Sequence, residues 1–174
     1  MKTEKGFSLI ELLIVVVVIG IIIAIAIPNL LASRRASNEA SAVSSLRAVH
    51  SAQATYFSTF GGGEYAGSVG TIDVVLFNQL GSVGLVDEVL GNGSKSGYGY
   101  LGVAVPADDT RPATFCANTF PLTTTGLTTT GTKNYAVATE GRILAGSALI
   151  PVNATCTFDA LGSAMIVNGL PIGE

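Results

Sequence analysis

Between Glu11 and Arg34 the chain carries no formally charged residue, and residues 12–27 are an unbroken run of apolar residues and glycine. A run of that length and composition crosses a bilayer as a helix, or packs as a helix among others extracted from one. One acid stands at its start. An ionised carboxylate at mid-membrane costs roughly 2.5–3.5 kcal/mol on insertion scales, so an acid here is read as functional and in need of a partner. The alternative is that Glu11 lies at the headgroup level.

The helical signal runs on past the apolar segment. Val43, Leu46, Val49, Gln53, Tyr56 and Phe60 recur at spacings of three or four, which makes one helical face. Arg34, Ser37, Ser41, Ser44, Ser45, Ser51 and Thr55 fall mostly off that stripe, so this half should lay an apolar face on a packed domain. The glycines at 61–63 end the helix. From residue 7 to residue 60 the element would be about 80 Å long, against a hydrocarbon thickness of about 30 Å, so half of it stands outside a membrane. Gly20 and Pro28 interrupt it, and the stretch between them is where a bend or an unwound segment is expected, with an ordinary proline kink as the simpler outcome.

After Gly63 the texture changes to glycine- and threonine-rich segments with short apolar runs. Residues 71–80 read as a short helix capped by Thr71 and stopped by Gly81, with a strand as the alternative. Strands are expected at 97–105, 113–119, 134–139 and 142–145, with a tight turn at Glu140-Gly141 and a further strand possible at 164–167. The threonine-rich stretch 123–132 reads as a surface loop. The fold class expected is α+β: a long N-terminal α-helix packed on a small antiparallel β-sheet with variable loops.

The 174 residues suit one domain with an appendage. Hydrophobic residues make up 48% and charged ones 12%, and part of that bias lies in the first thirty positions. With a net charge of -3 and no basic stripe, the monomer shows no direct signal for nucleic acid. Cys116 and Cys156, about forty residues apart, lack the spacing of a zinc or redox site. A structural disulfide formed in an oxidising compartment is the preferred reading, with free thiols as the alternative.

His50, the single histidine, falls among Ser and Ala at a solvated or interface position with no identifiable nucleophile and acid beside it. Asp87-Glu88 and Asp108-Asp109 are adjacent acids without the alternating oxygen ligands of a calcium loop, and read as solvated loop charges. Asn153-Ala154-Thr155 fits a glycosylation acceptor pattern, and the threonine loop is an equally weak O-glycosylation candidate. The glycines at 61–63 and 91–99 lack a phosphate-loop lysine and read as turns. No catalytic residue, metal site or cofactor is expected.

Residues 5–28, KGFSLIELLIVVVVIGIIIAIAIP, resemble the class III signal of type IV pilins and of type II secretion pseudopilins. Pro28-Asn29 after the apolar run is no small-residue cleavage site, so processing would have to precede the run. The resemblance covers about the first sixty residues. It implies a cytoplasmic leader, residues 1–6, cut between Gly6 and Phe7 by a prepilin peptidase, and N-methylation of the new terminal Phe7 by the same class of enzyme. It implies a transmembrane and filament-core helix at 7–28, with its break at Gly20 and Pro28. The amphipathic half of that helix at 29–60 and a globular head at 61–174 would follow. Glu11 matches the family's assembly acid and would neutralise the Phe7 amine of a neighbouring subunit. The implied partners are further copies in a helical filament, the pilus assembly machinery, and the bacterial inner membrane. The chain would span that membrane once, with its head outside the cytoplasm, before moving to a cell-surface pilus. Beyond residue 60 the resemblance is architectural, and there Cys116 and Cys156 resemble the pair that brackets a C-terminal loop in many pilins. The function expected is that of a structural, non-enzymatic filament subunit. The alternatives are a pseudopilin of a secretion system and a membrane-tethered binding domain.

Overall fold

A computed structural model of the chain describes residues 6–146, 156 and 169–171. It resolves into two compact units, Met1–Arg34 and Arg35–Glu174. Helix α1, Leu9–Thr59, contributes to both.

In the first unit the backbone is α-helical from Leu9 onward and stays helical through Gly20 and Pro28. Its apolar side chains are presented outward: Ile14, Val18, Ile22 and Ile25 are each about half exposed or more. It is a helix long and apolar enough to cross a membrane, by length and composition.

The second unit, the head, packs residues 35–59 of α1 on an antiparallel sheet that has six strands among the described residues. The strands are β1 (Ser94–Lys95), β2 (Tyr98–Val105), β3 (Thr114–Pro121), β4 (Asn134–Ala138), β5 (Ile143–Gly146) and β6 (Gly169–Pro171). They follow in sequence order, so the sheet is a plain meander. β2, β3 and β4 are buried along nearly every residue, not alternately. The cause is that both sheet faces are covered, which makes such strands read as continuous apolar runs. On one face Tyr98, Tyr100, Phe115, Tyr135 and Val137 pack against Ala42, Leu46 and Val49 of α1. On the other, Val103, Cys116, Ala136, Ala138 and Leu144 gather around Cys156.

The four expected strands form with ends shifted by one or two residues. The turn between β4 and β5 closes through Gly141 N–H to Ala138 O at 2.9 Å, with Gly141 at φ 77°. That left-handed geometry favours glycine. Residues 164–167 lie outside the described residues.

Several details differ from expectation. Helix α2 spans Val75–Ser82, so it begins after Thr71 and runs through Gly81. Thr71 does not cap it. Asp73 does the local work: Oδ1 accepts from Val75 N–H at 2.9 Å, Oδ2 accepts from the Ser68 hydroxyl at 2.7 Å, and its backbone exchanges two hydrogen bonds with Gly102. Gly102 lets α2 lie close, since a Cβ there would stand 2.6 Å from Leu76 Cδ1. A short helix α3, Glu88–Gly91, precedes β1.

On α1, Ser45 is buried at 4% exposure and not on the solvated side, while Phe60 lies beyond the helix end and is 53% exposed. Ala42 and Ala52 complete the buried face. Small residues on that face let the helix approach the tyrosine-rich sheet.

Candidate functional site

The first turn of α1 holds the features that the sequence singled out. Gly6 and Phe7 precede the helix in irregular, exposed backbone, and a Cβ added at Gly6 would meet nothing within 4 Å. Phe7 and Leu9 are 83% and 82% exposed. Glu11 folds back over this turn: its Oε2 accepts from Ser8 N–H at 2.9 Å, while Glu11 N–H donates to Ser8 O at 3.1 Å. Ser8 and Glu11 thus stand at the spacing of a capping box, with the carboxylate satisfying one of the orphan donors of a helix start. Negative charge is also favoured there by the helix dipole. Sequence reading missed this role, although the S-x-x-E spacing ahead of an apolar run signals it. The arrangement holds the Glu11 carboxylate on the amide of Ser8, the residue after Phe7, at the start of an apolar run.

The other candidates fall elsewhere. Cys116 and Cys156 form a disulfide, Cα to Cα 5.6 Å, beneath the second sheet face. His50 takes the interface alternative and is half-buried: its ring lies 6.0 Å from that of Phe115, and Nε2 is 3.1 Å from Thr139 O, so it anchors the turn between β4 and β5. Asp87 pairs with Lys95 at 2.9 Å. Asp108 accepts from Thr110 and Arg111, and these hydrogen bonds hold its carboxyl well below the usual range. Residues 153–155, with their acceptor pattern, lie outside the described residues.

Among the described residues no group of three or more His, Cys, Asp or Glu side chains gathers as metal ligands would. A shallow cleft of 360 Å³ beside α1 is lined by Ser44, Ser45, Ala48, Leu85, Val86, Asp87, Leu90 and Lys95, and it brings no histidine or thiol to these serines.

One feature of the head was not read from the sequence at all. The loop between β3 and β4 is clipped to α1 by three helix side chains: Arg35 donates to Leu127 O at 3.4 Å, Asn38 donates to Thr130 O at 3.0 Å, and Glu39 accepts from Thr132 N–H and hydroxyl at 2.8 and 2.9 Å. The loop is on the surface, as expected, but it is held. Arg35, Asn38 and Glu39 lie three and four residues apart, on one helical face.

The fold and the helix start define a class: an α+β head carried on an apolar helical stem with an acid in its first turn. The comparisons agree with it. Residues 1–27 match the family model of the prokaryotic N-terminal methylation motif. The chain is 48% identical over 55 residues to the type IV major pilin protein PilA of Myxococcus xanthus, covering 32% of this chain and 25% of that protein. It is 54% identical over 39 residues to the type IV wide pilus major component PilA4 of Thermus thermophilus, covering 22% of this chain and 30% of that one. The chain therefore matches only about a quarter to a third of the length of these relatives. No solved structure matches the chain significantly. Through its N-terminal segment the chain is related to the type IV pilin family.

Proposed function

We propose that this chain is a structural subunit of a type IV pilus or pilus-like filament. The observation that carries the reading is the exposed apolar stem with one acid fixed in its first turn. Water does not tolerate such a stem, so it resides in a membrane or among copies of itself. In this reading residues 1–6 are a leader removed after Gly6 by a prepilin peptidase, and Phe7 becomes the methylated first residue. Exposed backbone at Gly6 supports access for such an enzyme. The chain first spans the inner membrane with its head outside the cytoplasm, and the pilus machinery then moves it into a surface filament.

Cleavage leaves a positive amine at Phe7. In the low-dielectric interior of a bundle of such stems, Glu11 of one subunit and the Phe7 amine of the next compensate each other only in the correct axial register. A buried pair of this kind adds little net stability, because desolvation opposes the Coulomb attraction, and its best-attested use is to set register. The capping bond to Ser8 orients the carboxylate for that task. Gly20 and Pro28 mark where the stem unwinds on assembly, since proline removes one backbone donor and glycine weakens the helix between β-branched neighbours.

Mass spectrometry of surface-sheared material tests this. Abundant filaments whose first residue is methylated Phe7 are expected. Recovery of the chain only in the cell envelope, with no filaments, would favour a pseudopilin, and an uncut N-terminus would favour a tethered binding domain.

A further inference from the structure

The cleft beside α1 gathers polar groups that the fold leaves unspent. Asp87 accepts from Lys95 Nζ through Oδ2 at 2.9 Å and does not cap α3 with its side chain, so its Oδ1 has no partner among the described residues. Lys95 Nζ keeps two N–H donors beyond that bond. From α1, Ser44 gives its hydroxyl proton to Ser41 O at 2.9 Å, which leaves its oxygen as an acceptor. Leu85 and Val86 add apolar surface beside these groups.

A second, independent observation lies behind the lining. Tyr100 is wholly buried, and its phenol oxygen has no hydrogen-bond partner among the described residues. Burial raises its pKa, and the other groups that act on it are the hydroxyls of Ser45 and Thr119 and the charges of Lys95 and Asp87. Three of those four residues line the cleft, so the phenol is directed toward it, with Ser45, itself 4% exposed, as the link. A buried hydroxyl without a partner is uncommon in folded proteins and signals a group that the site is missing.

We propose that this cleft binds a neutral sugar ring, one hexose unit in size. The Lys95–Asp87 pair carries no net charge, so it favours neither an anion nor a cation. Neighbouring hydroxyls, each both donor and acceptor, match what the pair and the helix present: donors on Lys95 Nζ, acceptors on Asp87 Oδ1 and Ser44 Oγ. Two of these bonds would be charge-assisted, the stronger kind. The C–H face of the ring covers Leu85 and Val86. The volume of 360 Å³ falls at the small end of ligand cavities, which run about 300–1,000 Å³. When a ring hydroxyl accepts from Ser45, the Ser45 oxygen is left to accept from Tyr100, and the buried phenol gains its partner. The cleft belongs to the head, so this binding does not depend on the filament reading.

The test is saturation-transfer NMR on the full chain in a detergent without sugar head groups, with glucose, galactose and N-acetylglucosamine as probes and acetate and choline as charged controls. Transfer to at least one sugar and to neither control is expected. Ala48→Phe fills the cleft from an exposed position and should abolish the transfer. Lys95→Met should weaken binding about tenfold, as the loss of one hydrogen bond to a charged group does. Tyrosine circular dichroism equal to that of the unaltered chain verifies that the variants are folded. Undiminished transfer in folded Ala48→Phe would overturn the proposal, as would transfer to a charged control that Ala48→Phe removes. The unaltered chain is decisive without any variant, because no transfer to any of the three sugars also overturns it.

Discussion

Gln53 meets the backbone of Ala66 as one amide against another: Nε2 donates to Ala66 O at 2.8 Å, and Oε1 accepts from Ala66 N–H at 2.9 Å, with both residues wholly buried. The pair joins α1 to the first segment after the glycines. In the sequence Gln53 sits inside an apolar stripe, where it looks like a blemish. It is there because the chain leaving the helix has to turn back across the core, and its peptide groups need partners once water is excluded.

Replacing Gln53 by Leu would leave the Ala66 N–H and C=O buried without partners. Each such group costs about 1–3 kcal/mol, so Gln53→Leu should destabilise the head by several kcal/mol despite adding apolar surface. Urea unfolding of the full chain in mild detergent, followed by tyrosine fluorescence, reads this. A stability equal to that of the unaltered chain would contradict the role assigned to Gln53.

The disulfide joins the central strand β3, through Cys116, to Cys156, 40 residues on. In the chain-entropy model a loop of that length contributes about 4 kcal/mol by restricting the unfolded chain. A Cys116→Ser, Cys156→Ser double variant should therefore unfold at markedly lower urea concentration and be cut faster by protease than the oxidised chain. Equal protease resistance would show that the second sheet face is held in some other way.

Burial raises the phenol of Tyr135, helped by the Glu39 charge and the hydrogen bond to it, and its pKa is pushed up to about 12. Burial likewise drives Tyr98 well above its ordinary value. A phenol with a raised folded pKa keeps its proton where the unfolded chain, titrating near 10, has lost it. Its contribution is complete below about pH 10 and is lost as pH rises through about 12. Urea midpoints measured from pH 8 upward should be flat to about pH 10 and then fall, and Tyr135→Phe should make the fall shallower. An unchanged slope in the variant would contradict this origin.

The head was readable wherever local pattern and burial agreed. β2 and β4 announced themselves as β-rich apolar runs between glycine or polar turns, and the stripe through Leu46, Val49 and Gln53 fixed the packed face of α1. Reading failed where a contact distant in sequence decides. Thr71 has the chemistry of a cap, yet the bridge between Asp73 and Gly102 delays the helix to Val75. For His50 the Ser and Ala neighbours left a solvated and an interface position open, and the turn between β4 and β5 that comes down on it decides for the interface. The clips from Arg35, Asn38 and Glu39 reach residues more than ninety positions away, so no local pattern could show them. At the stem the opposite holds: Ser8 and Glu11 bond within one turn, and the spacing alone carried that information.

The central claim is that Glu11 serves assembly and not insertion. The direct measurement is the partition of a Glu11→Ala chain between the membrane fraction and surface-sheared filaments. The account predicts a processed chain, still cut after Gly6 and abundant in the membrane, with sheared filaments reduced to a small fraction of the normal yield. Filaments in normal yield, built from Glu11→Ala subunits, would contradict it.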